Sequence, residues 1–113
     1  MQGYDKKEAV EYIVSKIDRS EFAGVSESRI RSLVQKAIEL DFEYMEENGV
    51  LKGGMMGDSF YDDDDAYDFI CENLLREIGA DDDEELIIAH VVDAYMDCQQ
   101  DYMQERGLLQ WED

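Results

Sequence analysis

The eight-residue pattern Tyr-Met-x-Glu-x-Gly-x-Leu occurs twice in the chain, at 44–51 and again at 102–109. The same spacing of 58 residues aligns apolar positions further upstream, for example Ile30 with Ile88, and a spacing of 57 residues aligns the first helical segment with the third, for example Ala9 with Ala66 and Ile13 with Ile70. Helical periodicity alone would align apolar positions, but it would not also repeat a glycine where a helix ends. We therefore predict that the sequence contains an internal duplication.

Four segments carry apolar residues at three- and four-residue spacing, and no proline interrupts the 113 residues. Side chains suited to N-caps begin these segments, which predicts helices at about 5–17, 26–48, 62–78 and 81–106. Glycines follow three of the four segments, at positions 49, 79 and 107. We expect Gly49 and Gly107 to adopt positive φ as left-handed C-terminal caps.

One helical hairpin exposes an apolar stripe on both of its helices and cannot bury them alone. Two hairpins can close a shared four-helix core. The sequence therefore predicts an all-α, four-helix bundle-like domain spanning 1–113, built from tandem hairpins related by a pseudo-twofold axis. The first repeat covers about 5–51, a glycine-rich linker covers 52–61, and the second repeat covers about 62–111.

Both long helices interrupt their apolar stripe at one equivalent position, with Asp41 in the first repeat and Gln99 in the second. One interpretation is a buried polar pair near the pseudo-axis that fixes the register of the helices. The other is that the helices curve and solvent wets this position. The sequence leaves both interpretations open.

Motifs for catalysis or metal binding are missing from the sequence. His90 is the only histidine, which excludes paired Glu-x-x-His metal motifs, and a lone histidine that aligns with Ser32 in the repeat is typical of a rim residue. The aspartate clusters lack the spacing of a calcium-binding EF-hand loop. Cys71 and Cys98 lie in apolar segments, as reduced core thiols do. We predict a protein that is not an enzyme and has no metal or cofactor.

Charge is unevenly distributed along the chain. Residues 1–57 hold 8 basic and 11 acidic side chains, a net charge of -3, whereas residues 58–113 hold 2 and 19, a net charge of -17. Such a surplus of negative charge repels phosphate groups and therefore disfavours direct binding to nucleic acid or to anionic membranes. It fits either a solvated face that keeps the protein soluble or a surface that meets a basic partner.

The leading functional hypothesis is a non-enzymatic interaction module that binds a basic protein surface, as inhibitor, immunity-type or adaptor proteins do. A sharper form is a nucleic-acid mimic, which requires carboxylates aligned in rows. The alternatives are a divalent-metal-binding helical protein and a structural homo-oligomer. The candidate partner-binding residues are Asp62, Asp63, Asp64, Asp65, Asp68, Asp81, Asp82, Asp83, Glu84 and Trp111.

The sequence also bears on location and assembly. It has no signal peptide and no long apolar segment, so we expect a cytoplasmic protein that does not enter a membrane. A monomer or a homodimer is compatible with the pattern.

Overall fold

A computed structural model describes residues 4–17, 19–22, 24–49, 51–52, 55–56, 62–79 and 81–105. It contains the four predicted helices: α1 (Lys6–Lys16), α2 (Glu27–Glu47), α3 (Asp63–Ile78) and α4 (Asp82–Glu105). A 3₁₀ helix, Arg19–Phe22, lies between α1 and α2. The all-α prediction is confirmed, and the helix boundaries fall within about two residues of those expected from the sequence.

Side-chain caps begin all four helices. Each cap satisfies backbone N–H groups that have no partner within the first helical turn. Asp5 accepts from the amides of Lys7 and Glu8, Ser26 from Arg29, Asp62 from Asp65, and Asp81 from Glu84. Local sequence therefore determines where every helix starts.

Glycines in the left-handed conformation follow α2 and α3. The φ angle is 75° at Gly49 and 67° at Gly79, and the Gly79 amide donates to the Leu75 carbonyl at 2.9 Å. The prediction of positive φ is confirmed for Gly49. The equivalent prediction for Gly107 lies outside the described residues.

The connection between the two halves contains a minimal β-hairpin. Strands β1 (Leu51–Lys52) and β2 (Met55–Met56) pair antiparallel, with Leu51 opposite Met56 and Lys52 opposite Met55. The sequence predicts a glycine-rich linker over 52–61, where the conformational entropy of glycine disfavours regular secondary structure. Two residues separate the strands in sequence, however, and this is the spacing of a tight hairpin loop.

The four helices pack in a ring. Helix α1 contacts α2 and α4, α3 also contacts α2 and α4, and α2 contacts α4 across the centre. Positions paired by the sequence repeat are buried in both halves: Ala9 and Ala66, Ile13 and Ile70, Ile30 and Ile88, Val34 and Val92, Tyr44 and Tyr102, Met45 and Met103. This packing agrees with a duplication, while the pseudo-twofold axis stays a prediction.

Asp41 and Gln99 are both buried, with 1% and 4% of their surface exposed. The Asp41 carboxylate accepts a 2.6 Å hydrogen bond from the Tyr95 hydroxyl, and the Gln99 carbonyl accepts one of 2.6 Å from Tyr4. The alternative in which solvent wets this position is therefore wrong. Each polar side chain accepts a hydrogen bond from a tyrosine, whereas the buried amide nitrogen of Gln99 (Nε2) has no hydrogen-bond partner among the described residues.

Candidate functional site

The structure separates the two aspartate clusters that the sequence analysis grouped together. Asp62–Asp65 begins α3, and Asp81–Glu84 begins α4. Because α3 ends at Ile78, α4 begins at Asp82 and the two helices pack together, they run antiparallel. Their N-termini therefore lie at opposite ends of the hairpin, about 24 Å apart for 16 residues of helix. The clusters do not form one continuous patch.

Several members of these clusters have local structural roles. Asp62 and Asp81 are helix caps, and Asp65 accepts a 3.0 Å hydrogen bond from the Tyr44 hydroxyl. Glu84 forms an ion pair with Arg29, with 3.0 Å between the nitrogen and the oxygen. The side chain of Asp63, and Trp111 as a whole, lie outside the described part of the chain.

Helix α4 instead carries a row of exposed carboxylates that the sequence analysis missed. Asp93, Asp97, Asp101 and Glu105 recur every fourth residue and are all exposed. We call these residues the α4 row. Their spacing places them on one side of the helix, about 6 Å apart along its axis. The row could have been predicted from the sequence, because acids spaced four residues apart in a helical segment are neighbours on the helix surface.

A second row lies on α3 and consists of Asp64, Asp68 and Glu72. These residues are also exposed and are spaced four residues apart. We call it the α3 row. Asp64 of this row, together with Asp93 and Asp97 of the α4 row, lines a groove of about 300 Å³ between the helices, the α3–α4 groove. The other lining residues are Tyr67, Met96 and Gln100. Asp68 and Glu72 instead line a groove between α2 and α3. Of the predicted site residues that the structure describes, only Asp64 lines the α3–α4 groove.

The α4 row opposes the electrostatics of its own helix. Helix α4 contains eight Asp or Glu residues and no Lys or Arg, and its last turn has no basic side chain. Like charges four residues apart destabilise a helix by about 0.2–0.5 kcal/mol per pair. Carboxylates near a C-terminus also face the negative end of the helix dipole. Asp93, Asp97 and Asp101 form no ion pair within the described residues.

The first half has an equivalent groove with a different charge. The groove between α1 and α2 is lined by Lys6, Lys7, Val10, Gln35, Ile38 and Glu39. The repeat alignment pairs these positions with those of the α3–α4 groove. Lys7 corresponds to Asp64, and Gln35 corresponds to Asp93. The repeated architecture therefore presents two similar grooves, and only the second is flanked entirely by acids and neutral groups.

Tyr67 and Cys71 lie beside the α3–α4 groove in their protonated forms. The Tyr67 hydroxyl donates to the carbonyl of Ala89 on α4, at 3.4 Å. Burial, and then the neighbouring Cys71 and carboxylates, raise the pKa of Tyr67 to about 12. Burial raises the pKa of the Cys71 thiol to about 11, against a smaller opposing effect of its hydrogen bond with Tyr67. A thiol protonated at neutral pH is a poor nucleophile.

Metal-binding geometry is absent from the part of the chain that the structure describes. No group of three or more His, Cys, Asp or Glu side chains there is arranged to hold a metal ion. His90 is exposed and contacts Phe22 edge-on, with 6.0 Å between the ring centroids. The two cysteines are free and half-buried.

Comparison with known proteins found no family model, no curated protein and no solved structure that matches this chain. Among the described residues, none of the helices combines the length and the apolar character that a membrane span needs.

Proposed function

We propose that this chain is a non-enzymatic interaction module that binds a basic surface of another protein through the α3 row and the α4 row. It would act as an inhibitor, immunity-type or adaptor protein. The observation that carries the proposal is the set of three exposed carboxylates, Asp64, Asp93 and Asp97, that line one groove, with further exposed acids continuing along each helix. Complementary charge of this kind increases association rates and selects partners.

The energetic argument is that the fold does not require these carboxylates. The two halves bury equivalent apolar positions, yet only the second carries acids on both helices that flank its groove. Helix α2 also has a row of acids spaced four residues apart, Glu39, Glu43 and Glu47. The helix beside it, α1, contributes Lys6 and Lys7 to the lining of the groove between them. An arrangement that costs helix stability and is limited to one half is consistent with selection for binding.

Charge density favours a general basic protein surface over a nucleic-acid-binding cleft. One row places a carboxylate about every 6 Å, and because α3 and α4 are antiparallel the two rows overlap only near Asp64, Asp93 and Asp97. Double-stranded DNA carries one charge per ~1.7 Å of its axis. Each acidic row therefore has well under half the linear charge density of DNA. This weakens the mimic hypothesis without affecting the broader proposal.

The test compares two variants that lose the same charge. The α4-row variant is Asp93→Asn, Asp97→Asn and Asp101→Asn, and the control is Glu39→Gln, Glu43→Gln and Glu47→Gln on α2. Each variant is used for affinity purification from the native host, followed by mass spectrometry. We expect the parent and the control to retain the same basic protein, and the α4-row variant to lose it.

The purified complex then provides a kinetic test. Its association rate should fall steeply with increasing salt, because screening weakens long-range attraction between exposed charges. Equal retention by both variants, or an association rate independent of salt, would show that the acidic rows serve solvation alone.

A further inference from the structure

We infer that the α3–α4 groove receives an arginine side chain of the partner, whose guanidinium group lies against the Tyr67 ring and pairs with the carboxylates of Asp93 and Asp97. This inference rests on the proposed function and specifies the chemistry by which the partner is recognised. The occupant is an arginine-bearing protein segment, and lysine is the poorer ligand.

The first argument is the composition of the groove. Tyr67 and Met96 are half-buried and provide apolar walls, whereas Asp64, Asp93 and Asp97 provide carboxylates. An arginine side chain matches this mixture, because its aliphatic stem packs on apolar surface while its planar head binds carboxylates through two parallel hydrogen bonds. The groove volume of about 300 Å³ accommodates one such side chain.

The second argument is the position of the Tyr67 ring, which is uncharged at physiological pH. Its hydroxyl donates to the Ala89 carbonyl on the facing helix at 3.4 Å, a long hydrogen bond that directs the side chain towards α4. A phenol is already neutral at pH 7 with its ordinary pKa of 10.0, and burial raises the pKa of Tyr67 further, to about 12. A neutral aromatic ring among carboxylates attracts a cation through its π-electrons.

The third argument is a contrast with the first half of the chain, where the protein's own lysines cover two half-buried rings. The Lys6 ammonium lies 5.0 Å from the centre of the Phe42 ring, and that of Lys16 lies 5.5 Å from the centre of Tyr12. Within the described residues, no such contact is found at Tyr67. The one basic residue of α3, Arg76, lies nine positions away, about 14 Å along the helix. The described part of the chain therefore leaves the Tyr67 ring accessible to a cation from a partner.

Arginine fits this groove better than lysine for geometric reasons. Guanidinium is planar, stacks on aromatic faces and binds a carboxylate through two donors, whereas ammonium is a compact and strongly hydrated point charge. The carboxylates already favour guanidinium through this paired geometry, and the Tyr67 ring adds a planar face on which guanidinium stacks better than ammonium. The contribution of the ring can be removed without changing the carboxylates, so the experiment depends on Tyr67.

The experiment titrates the full-length protein with two alanine-based helical peptides that differ only in carrying arginine or lysine at every fourth position. Calorimetry measures affinity, and amide chemical shifts locate the binding site. We expect the arginine peptide to bind about tenfold more tightly, the scale of one added cation–π contact. Shift changes should centre on Asp64, Tyr67, Asp93 and Asp97.

Two variants test the role of the ring. Tyr67→Leu retains an apolar side chain and should reduce the preference for arginine, because the arginine peptide loses more affinity than the lysine peptide does. Gln100→Arg places a cation beside the groove from the protein itself and should lower the affinity for both peptides. Val10→Leu, at the position equivalent to Tyr67 in the α1–α2 groove, is the control and should behave like the parent.

The outcomes separate this inference from the proposed function. If both peptides bind equally well, or if Tyr67→Leu retains the full preference, the arginine inference fails. The proposed function still stands in that case, provided that Asp93→Asn, Asp97→Asn and Asp101→Asn together weaken binding of both peptides. If neither peptide binds and the host yields no basic protein, both the inference and the proposed function fail.

Discussion

The hydroxyl of Tyr95 donates a 2.6 Å hydrogen bond to the carboxylate of Asp41, and this bond joins α4 to α2 across the centre of the bundle. Tyr95 is fully buried, and Asp41 is 1% exposed. The two residues are 54 positions apart and belong to different halves of the chain. A polar contact at this site is satisfied only when the two hairpins adopt one relative register.

Replacing Tyr95 by phenylalanine should destabilise the protein by about 1.5–3 kcal/mol, because the buried Asp41 carboxylate then loses a donor. The matched control is Tyr44→Phe, which removes a 3.0 Å bond to Asp65, an exposed carboxylate that water can solvate instead. Urea unfolding should show a clearly smaller loss for the control. Equal losses would mean that burial of Asp41 carries no special cost.

The same substitution should have opposite effects at the two ends of α4. Asp101→Asn removes two like-charge pairs, with Asp97 and Glu105, and should stabilise the protein by about 0.4–1 kcal/mol. Asp82→Asn removes a favourable charge from the first turn and should cost about 0.3–1 kcal/mol. Asp and Asn have similar helix propensities, so electrostatics determines whether each substitution raises or lowers the free energy of unfolding. Thermal unfolding followed by circular dichroism measures both variants, and shifts of the same sign would contradict the argument.

Gly79→Ala should cost on the order of 1 kcal/mol through backbone conformation alone. The φ angle is 67°, and a β-carbon added at this position would meet no atom within 4 Å, so steric crowding does not contribute. Gly79→Asn should cost less, because asparagine tolerates the left-handed region better than alanine does. Denaturant midpoints of the two variants test this order, and an alanine variant as stable as the parent would refute it.

Stability should decline at alkaline pH. Cys71 has its pKa raised from 9.0 to about 11, and Tyr67 from 10.0 to about 12. Between the ordinary and the raised pKa, the unfolded chain releases a proton that the folded chain retains. The free energy of unfolding therefore falls as pH rises above about 9 and continues to fall towards about 12.

This decline can be followed by urea unfolding at each pH, with tyrosinate absorbance reporting the titration itself. The double variant Tyr67→Phe and Cys71→Ala should show a shallower decline. An identical pH profile in that variant would mean that other groups cause the effect.

The helices and their ends were predictable from the sequence because the signals that set them are local. A cap such as Ser26 acts on an amide three residues away, and Gly79 acts on its own backbone. The burial of Asp41 could not be predicted from the sequence, since it depends on a hydrogen bond from Tyr95, which is 54 residues away. The sequence could reveal that Asp93 and Asp97 share one helix face, but not that Asp64 faces them across a groove.

The distance between the two aspartate clusters could not be predicted from the sequence for a related reason. Both clusters favour the positive N-terminus of a helix, so similar sequences mark similar local roles. In an antiparallel hairpin, equivalent ends point in opposite directions. Asp62 and Asp81 therefore have similar local roles, yet they lie far apart in space.

The hydrogen bond from Tyr4 to Gln99 has a consequence for the order of folding. It spans 95 residues, so this bond can form only after α4 has been synthesised and has packed against the other helices. The Tyr4 ring also lies 4.9 Å from the Phe42 ring on α2, centre to centre, and this contact needs only the first half of the chain. During synthesis, α1 therefore has α2 as a neighbour long before α4, its other neighbour, has emerged.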